Sequence, residues 1–237
     1  MKESDVAGNS GPVKSMSAKI VMGSVIVVLF VCLLFLIAGR FNWTRGWAYI
    51  GLLSCGQSVS CLYVRRKDTE VLRRRGRIGR GTKTWDKVVL GLFATAYLAE
   101  IVVAAVDERY TWSTMSGWFW LLGTIMYIFY LFMLTWAMSV NTHFEKTVRI
   151  QHDREHRVID SGPYRIIRHP GYLGTILGFV FATPLLLGSW WAFAPAVAAA
   201  AFLVVRTALE DRTLNKELDG YEAYTRDVRY RLLPGIW

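Results

Sequence analysis

The chain has 237 residues, 53% of them hydrophobic, with a mean hydropathy of +0.29 and a formal net charge of +10. This excludes an ordinary soluble domain, because the apolar residues collect in long runs instead of recurring at helical or alternating spacing. The three cysteines, Cys32, Cys55 and Cys61, lie inside those runs and outline neither a disulfide framework nor a metal site.

Residues 1–17 are polar and read as a disordered tail. Ile20 to Ala38 then gives 19 residues without a charge, a length that spans a bilayer and, with no Ala-x-Ala cleavage site, reads as a retained anchor rather than a signal peptide. Gly46 to Val64 is a second uncharged run, and Val88 to Val106 a third, broken only by Glu100. Thr111 to Val140 is a fourth. A lone acid in a span reads first as a buried hydrogen-bond partner and second as an ion-pathway residue. Gly171 to Val205 is 35 residues, roughly 52 Å as one helix and too long for one span. Pro184, Gly188-Ser189 and Pro195 divide it into two short helices with a tight turn near Gly188 to Trp190. The expected fold is an all-α integral membrane protein of about six membrane helices, the last two a short helical hairpin. Residues 18–140 form a four-helix transmembrane region and 141–237 a chemical region.

Lysine and arginine set the orientation. With the N-terminus inside, 25 of the 28 fall on the cytosolic side, and only Arg40, Arg45 and Arg109 fall outside. Both termini are therefore expected in the cytosol. The loop from Arg65 to Lys87 supplies +7 of the net charge and reads as a topology determinant that touches anionic lipid headgroups, not as a nucleic-acid site. Its glycines, Gly76, Gly79 and Gly81, have the wrong order for a dinucleotide loop.

All four histidines lie between His143 and His169. Thr147 to Ile150 and Arg157 to Ile159 look like short extended stretches around a polar turn. That turn, His152-Asp153-Arg154-Glu155-His156, has the letters of one zinc-peptidase class. It lacks the helix that would face both histidines to one metal, so it reads as a solvated turn and no metal is expected. Ser161-Gly162-Pro163-Tyr164 is a second turn, and Arg165 to Gly174 then runs into the membrane. Pro170 suits the first turn of a helix. Gly171 and Gly174 permit close approach by a backbone or ligand, and free N–H groups there favour an anion. Arg168 and His169 at that boundary fit a polar pocket and equally an interfacial anchor. Arg206 ends the last membrane run, and Glu210 follows one turn later on the same face, as an i,i+4 pair or as a functional pair. Leu209, Leu214, Leu218, Tyr221 and Tyr224 suggest an amphipathic tail helix, broken at Gly220, that lies on the cytosolic face and covers the pocket.

The ordered set G-P-Y-x-x-x-R-H-P-x-Y-x-G, an acidic pair, G-Y-x-x-Y and R-L-x-P-G resembles the isoprenylcysteine carboxyl methyltransferase family from Asn141 to Trp237. The resemblance implies an intramembrane methyltransferase using S-adenosylmethionine in a cytosol-facing pocket. Tyr164, His169, Pro170, Tyr172, Gly174 and Glu210 would contact the cofactor, and Arg168 and Arg206 would orient a lipophilic acceptor, such as a prenylcysteine carboxylate. Two positions depart from the family pattern: the acidic pair is Glu210-Asp211 instead of Glu-Glu, and Arg154-Glu155-His156 stands where Arg-Gly-His is usual. Phospholipid N-methyltransferases share the motif class, and sterol-reductase-like NADPH enzymes share its ending. A transporter is the alternative of a different class, weakened by the lack of an internal repeat.

Overall fold

A computed structural model describes residue 25 and residues 28–67, 69, 81–151 and 155–237. Among them the secondary structure is helical, with no β-strand. The helices are α1 (Val28–Ala38), α2 (Thr44–Lys67), α3 (Thr84–Tyr110), α4 (Gly117–Val140), α5 (Pro170–Leu187), α6 (Phe193–Glu217) and α7 (Tyr221–Asp227). Four of them, α3 to α6, are long and apolar enough to cross a membrane. α2 has the length, but Ser54, Gln57, Ser58 and Ser60 dilute it, and α1 is an apolar helix over its described part. Residues 1–17, most of the basic loop and His152 to Arg154 lie outside the described residues.

The last two membrane segments form the expected hairpin, turning at Gly188, whose φ of +84° favours glycine. The second arm is not short: α6 continues past Arg206 to Glu217, because the residues after Arg206 bury Thr207, Asp211 and Thr213 and include no helix breaker before Asp219-Gly220. Arg45 ties the turn to α2, donating to the carbonyls of Leu185 (3.2 Å) and Met115 (2.7 Å). Asp107 fixes the same end of the molecule by accepting from Ser113 N–H at 2.7 Å and from the Ser113 and Ser189 hydroxyls.

α5 is not uniform. Thr175–Val180 is π-helical, closing with Phe181 N–H on the Ile176 carbonyl at 3.1 Å, just ahead of Pro184, which has no N–H to offer. Its glycines meet α4. A Cβ on Gly174 would stand 2.9 Å from that of Met133, and one on Gly178 would stand 2.1 Å from the Met126 carbonyl oxygen. Small residues permit this backbone contact where no hydrophobic force separates helix from lipid. Gly178→Ala should therefore destabilise the protein by about 1–3 kcal/mol through overpacking. Gly91→Ala on α3, with open space around it, should not. Thermal unfolding of both variants in detergent checks the pair, and equal transitions would refute the close contact.

The hydroxyls of Tyr49, Tyr97 and Thr183 join α2, α3 and α5, with Tyr49 and Tyr97 2.6 Å apart. Glu100, one turn beyond Tyr97, is fully buried, and among the described residues neither carboxyl oxygen has a hydrogen-bond partner. Among those residues the expected role as a buried hydrogen-bond partner is not met.

Candidate functional site

The polar cavity lies at one end of the bundle, between the starts of α3 and α5, the last third of α6, α7 and the segment after α4. Gly162, at φ +58°, packs on Trp136 and Val140 and begins a 3₁₀ turn, Gly162–Arg165, with Pro163 in its first turn. The C-terminal segment then zips onto the next residues. Arg168 N–H donates to the Tyr230 carbonyl and His169 N–H to that of Arg231, each at 3.0 Å. Pro170 follows as the first residue of α5, as its missing N–H predicts.

α6 brings three charges to this point. Arg206 Nε lies 2.7 Å from Asp86 Oδ1, and its Nη2 donates to the Lys146 carbonyl at 2.7 Å. Its guanidinium stands over the Tyr172 ring, 5.1 Å from the centroid. Nη1 makes no hydrogen bond among the described residues. Glu210 accepts from the Tyr172 hydroxyl. Arg206 and Glu210 thus share a face one turn apart, but the direct partner of Arg206 is Asp86.

Asp211 is a hub. It is 1% exposed and lies 3.0 Å from Arg168 Nε, 3.3 Å from His169 Nε2 and 2.8 Å from Arg231 Nε, and it accepts from the Tyr221 hydroxyl at 2.9 Å. Arg168 Nε meets it as an ion pair without hydrogen-bond geometry, and the Nη groups of Arg168 have no hydrogen bond among the described residues.

A cavity of about 270 Å³ brings together Tyr164, Arg168, His169, Pro170, Tyr172, Arg206 and Glu210. Gly174 does not line it; its missing side chain is spent on Met133 of α4. Lys146, Arg149, Arg157, Arg168 and Arg206 face two acids, Glu145 and Glu210, around its wall. Glu145 is held by Arg149 through two contacts of 2.8 Å. Tyr164 accepts from Asn141 at 3.1 Å, and its carbonyl accepts from Tyr224 at 2.7 Å. Burial pushes the Tyr164, Tyr221 and Tyr224 hydroxyls up from their ordinary pKa, so they stay neutral donors.

The tail covers the cavity. Leu218, Tyr221, Tyr224 and Val228 are buried against Ile150, Val158 and Leu214, with Gly220 at φ +81° making the bend before α7. The stretches 147–150 and 157–159 are irregular, not strands. The backbone of the first bonds elsewhere: Val148 N–H donates to the Asp86 carboxylate at 2.8 Å, and the Val148 carbonyl accepts from Lys83 N–H at 3.1 Å. Of the H-x-x-E-H letters, Glu155 and His156 are described, and His156 pairs its ring with His143 at 4.7 Å. Among the described residues no three His, Cys, Asp or Glu side chains cluster as metal ligands do. Glu155 has φ +47°, so the position where the resemblance expects glycine does take a left-handed conformation.

Sequence reasoning missed Asp86, hidden among the acids of a basic loop, and the roles of Asp211 and Arg231. Both of the latter stood in recognised motifs, and only the fold shows that they hold each other.

Residues 122–216 match the model of the isoprenylcysteine carboxyl methyltransferase (ICMT) family, as the motifs led us to expect. No curated protein matches the chain. That stretch is similar to a family of membrane methyltransferases, and four helices of the chain are long and apolar enough to cross a bilayer.

Proposed function

We propose that the protein transfers a methyl group from S-adenosylmethionine to the carboxylate of a lipophilic, prenylcysteine-like acceptor, at a site open to the cytosol. The observation that carries this reading is the convergence of Glu210, Arg168 and Arg206 on one cavity at the edge of the helical bundle. The residues suit the cofactor: a carboxylate for its amine or hydroxyl groups, guanidinium donors for its carboxylate, and Tyr172 and His169 as flat walls stacked 5.7 Å apart. When bound, S-adenosylmethionine supplies a methyl group already activated on a sulfonium. The chain's own work is to bind and align, which can contribute about 7–11 kcal/mol to lowering the barrier. Arg206 Nη1 and the Nη groups of Arg168 hold the acceptor carboxylate. Glu210, fixed by Tyr172, holds the cofactor. The tail over the cavity excludes water.

A carboxylate acceptor is favoured over an amine by the charge of the wall, with five Lys or Arg against two Glu. A carboxylate is already ionised, so no side chain need take a proton, whereas an amine must first lose one. Transfer to a farnesylcysteine analogue should therefore be nearly flat between about pH 6.5 and 8.5. Transfer to phosphatidylethanolamine, the acceptor of the rival phospholipid N-methyltransferase reading, would rise with pH. Label from S-adenosylmethionine, followed in bilayers with both acceptors and total lipid extract, tests the proposal. Glu210→Gln should reduce transfer at least about a hundredfold while leaving the protein folded. Cofactor binding without label in the prenylcysteine would place the acceptor in another class. No cofactor binding at all would reject the proposal. The cytosolic placement follows from the lysine and arginine bias and is tested by labelling single cysteines at the two ends of the bundle.

A further inference from the structure

On the flank of α4, away from the polar cavity, a second hollow of about 440 Å³ lies between α2 and α4. No residue lines both. Its floor is Gly56, where the absent side chain lets Leu131 and Tyr127 approach, and the Ser60–Thr135 hydroxyl pair at 2.6 Å. Those hydroxyls bond each other, so the floor demands no polar ligand. The walls include Val59, Tyr63, Ile128 and Leu131. From Gly56 to Tyr63 the groove extends along α2 for about 10 Å, enough for part of one hydrocarbon chain.

The end of this groove is charged. Tyr63 lines it, and the Lys67 ammonium stands over the Tyr63 ring at 5.3 Å. Arg66, one turn beyond Tyr63, is exposed as well in the last turn of α2. Among the described residues no acidic side chain pairs with Arg66 or Lys67. Two exposed cations at the end of an apolar groove complement an amphiphile with an anionic head. We propose that the α2–α4 groove binds one anionic phospholipid, its headgroup on Arg66 and Lys67 and one acyl chain along Gly56 to Tyr63. The groove is separate from the polar cavity, because the two share no lining residue and α4 stands between them.

The test is lipid retention. Protein reconstituted in equal phosphatidylglycerol and phosphatidylcholine is extracted in mild detergent, and the lipid carried with it is counted by mass spectrometry. The wild type should retain about one phosphatidylglycerol per chain, enriched at least about fivefold over phosphatidylcholine, the ratio a single basic side chain near an anionic surface supplies. Arg66→Gln/Lys67→Gln should bring the two lipids to parity, whereas Arg65→Gln, on the opposite face of α2, should not. Val59→Trp should fill the groove and release both; Val59 is 62% exposed, so the core is untouched. If Val59→Trp loses its unfolding transition, Ile128→Trp on the facing wall makes the same test. Equal retention of the two lipids by the wild type would overturn the proposal, as would undiminished phosphatidylglycerol in both tryptophan variants. Displacement of phosphatidylglycerol by a farnesylated thioether would reassign the groove to the acceptor's tail and also overturn it.

Discussion

Asp211→Ala should destabilise the protein by about 3–5 kcal/mol, while Glu210→Ala, its neighbour in sequence, should change stability by less than about 1 kcal/mol. Asp211 is 1% exposed and faces Arg168, His169 and Arg231; without it the two guanidinium groups face each other with no counter-charge. Glu210 opens onto the cavity and is held by one tyrosine hydroxyl. The two variants should thus fail in different ways, Asp211→Ala by losing its fold and Glu210→Ala by losing transfer. Denaturant titration in mixed micelles, run beside methyl transfer, separates them. A normal transition for Asp211→Ala would mean that the hub is ornamental.

Arg206 presents the second large effect, and here the structure changes what a simple substitution reports. Arg206→Ala leaves Asp86, which has no exposure, buried without its charge partner, at a cost of about 3–5 kcal/mol. Lost activity in that variant alone would not distinguish chemistry from folding. The double variant Asp86→Asn/Arg206→Gln removes both charges and should recover most of the stability. Its methyl transfer should stay down by at least about a hundredfold, because Arg168 alone then holds the acceptor carboxylate and leaves it misaligned. If the double variant regained both, Arg206 would be a packing residue and the acceptor would be held by Arg168. A double-mutant cycle on unfolding measures the coupling directly.

Much of this was legible in the chain. The uncharged runs marked α3 and α4, and Gly188 between two prolines marked the hairpin, because both signals are local. The R-H-P-x-Y-x-G segment announced a helix start at Pro170 for the same reason. Partnerships across the fold were not legible. Arg206 and Glu210 at i,i+4 suggest each other, yet Asp86, 120 residues away, is the partner that packing selected. Gly174 reads as a ligand-facing glycine, but the same lack of a side chain serves contact with α4. The stretch 147–150 reads as a strand from its β-branched residues; with no strand to pair with among the described residues, its backbone bonds to Asp86 and Lys83 instead.

The ion pair between Asp86 and Arg206 also sets a timetable for biosynthesis. Asp86 leaves the ribosome 120 residues before Arg206. At about 5–20 residues per second, its carboxylate waits roughly 6–24 s for a counter-charge. During that interval Asp86 keeps its hydration at the start of α3, because a carboxylate is costly to bury without a partner. The polar end of the bundle can close over Asp86 only when α6 has been made.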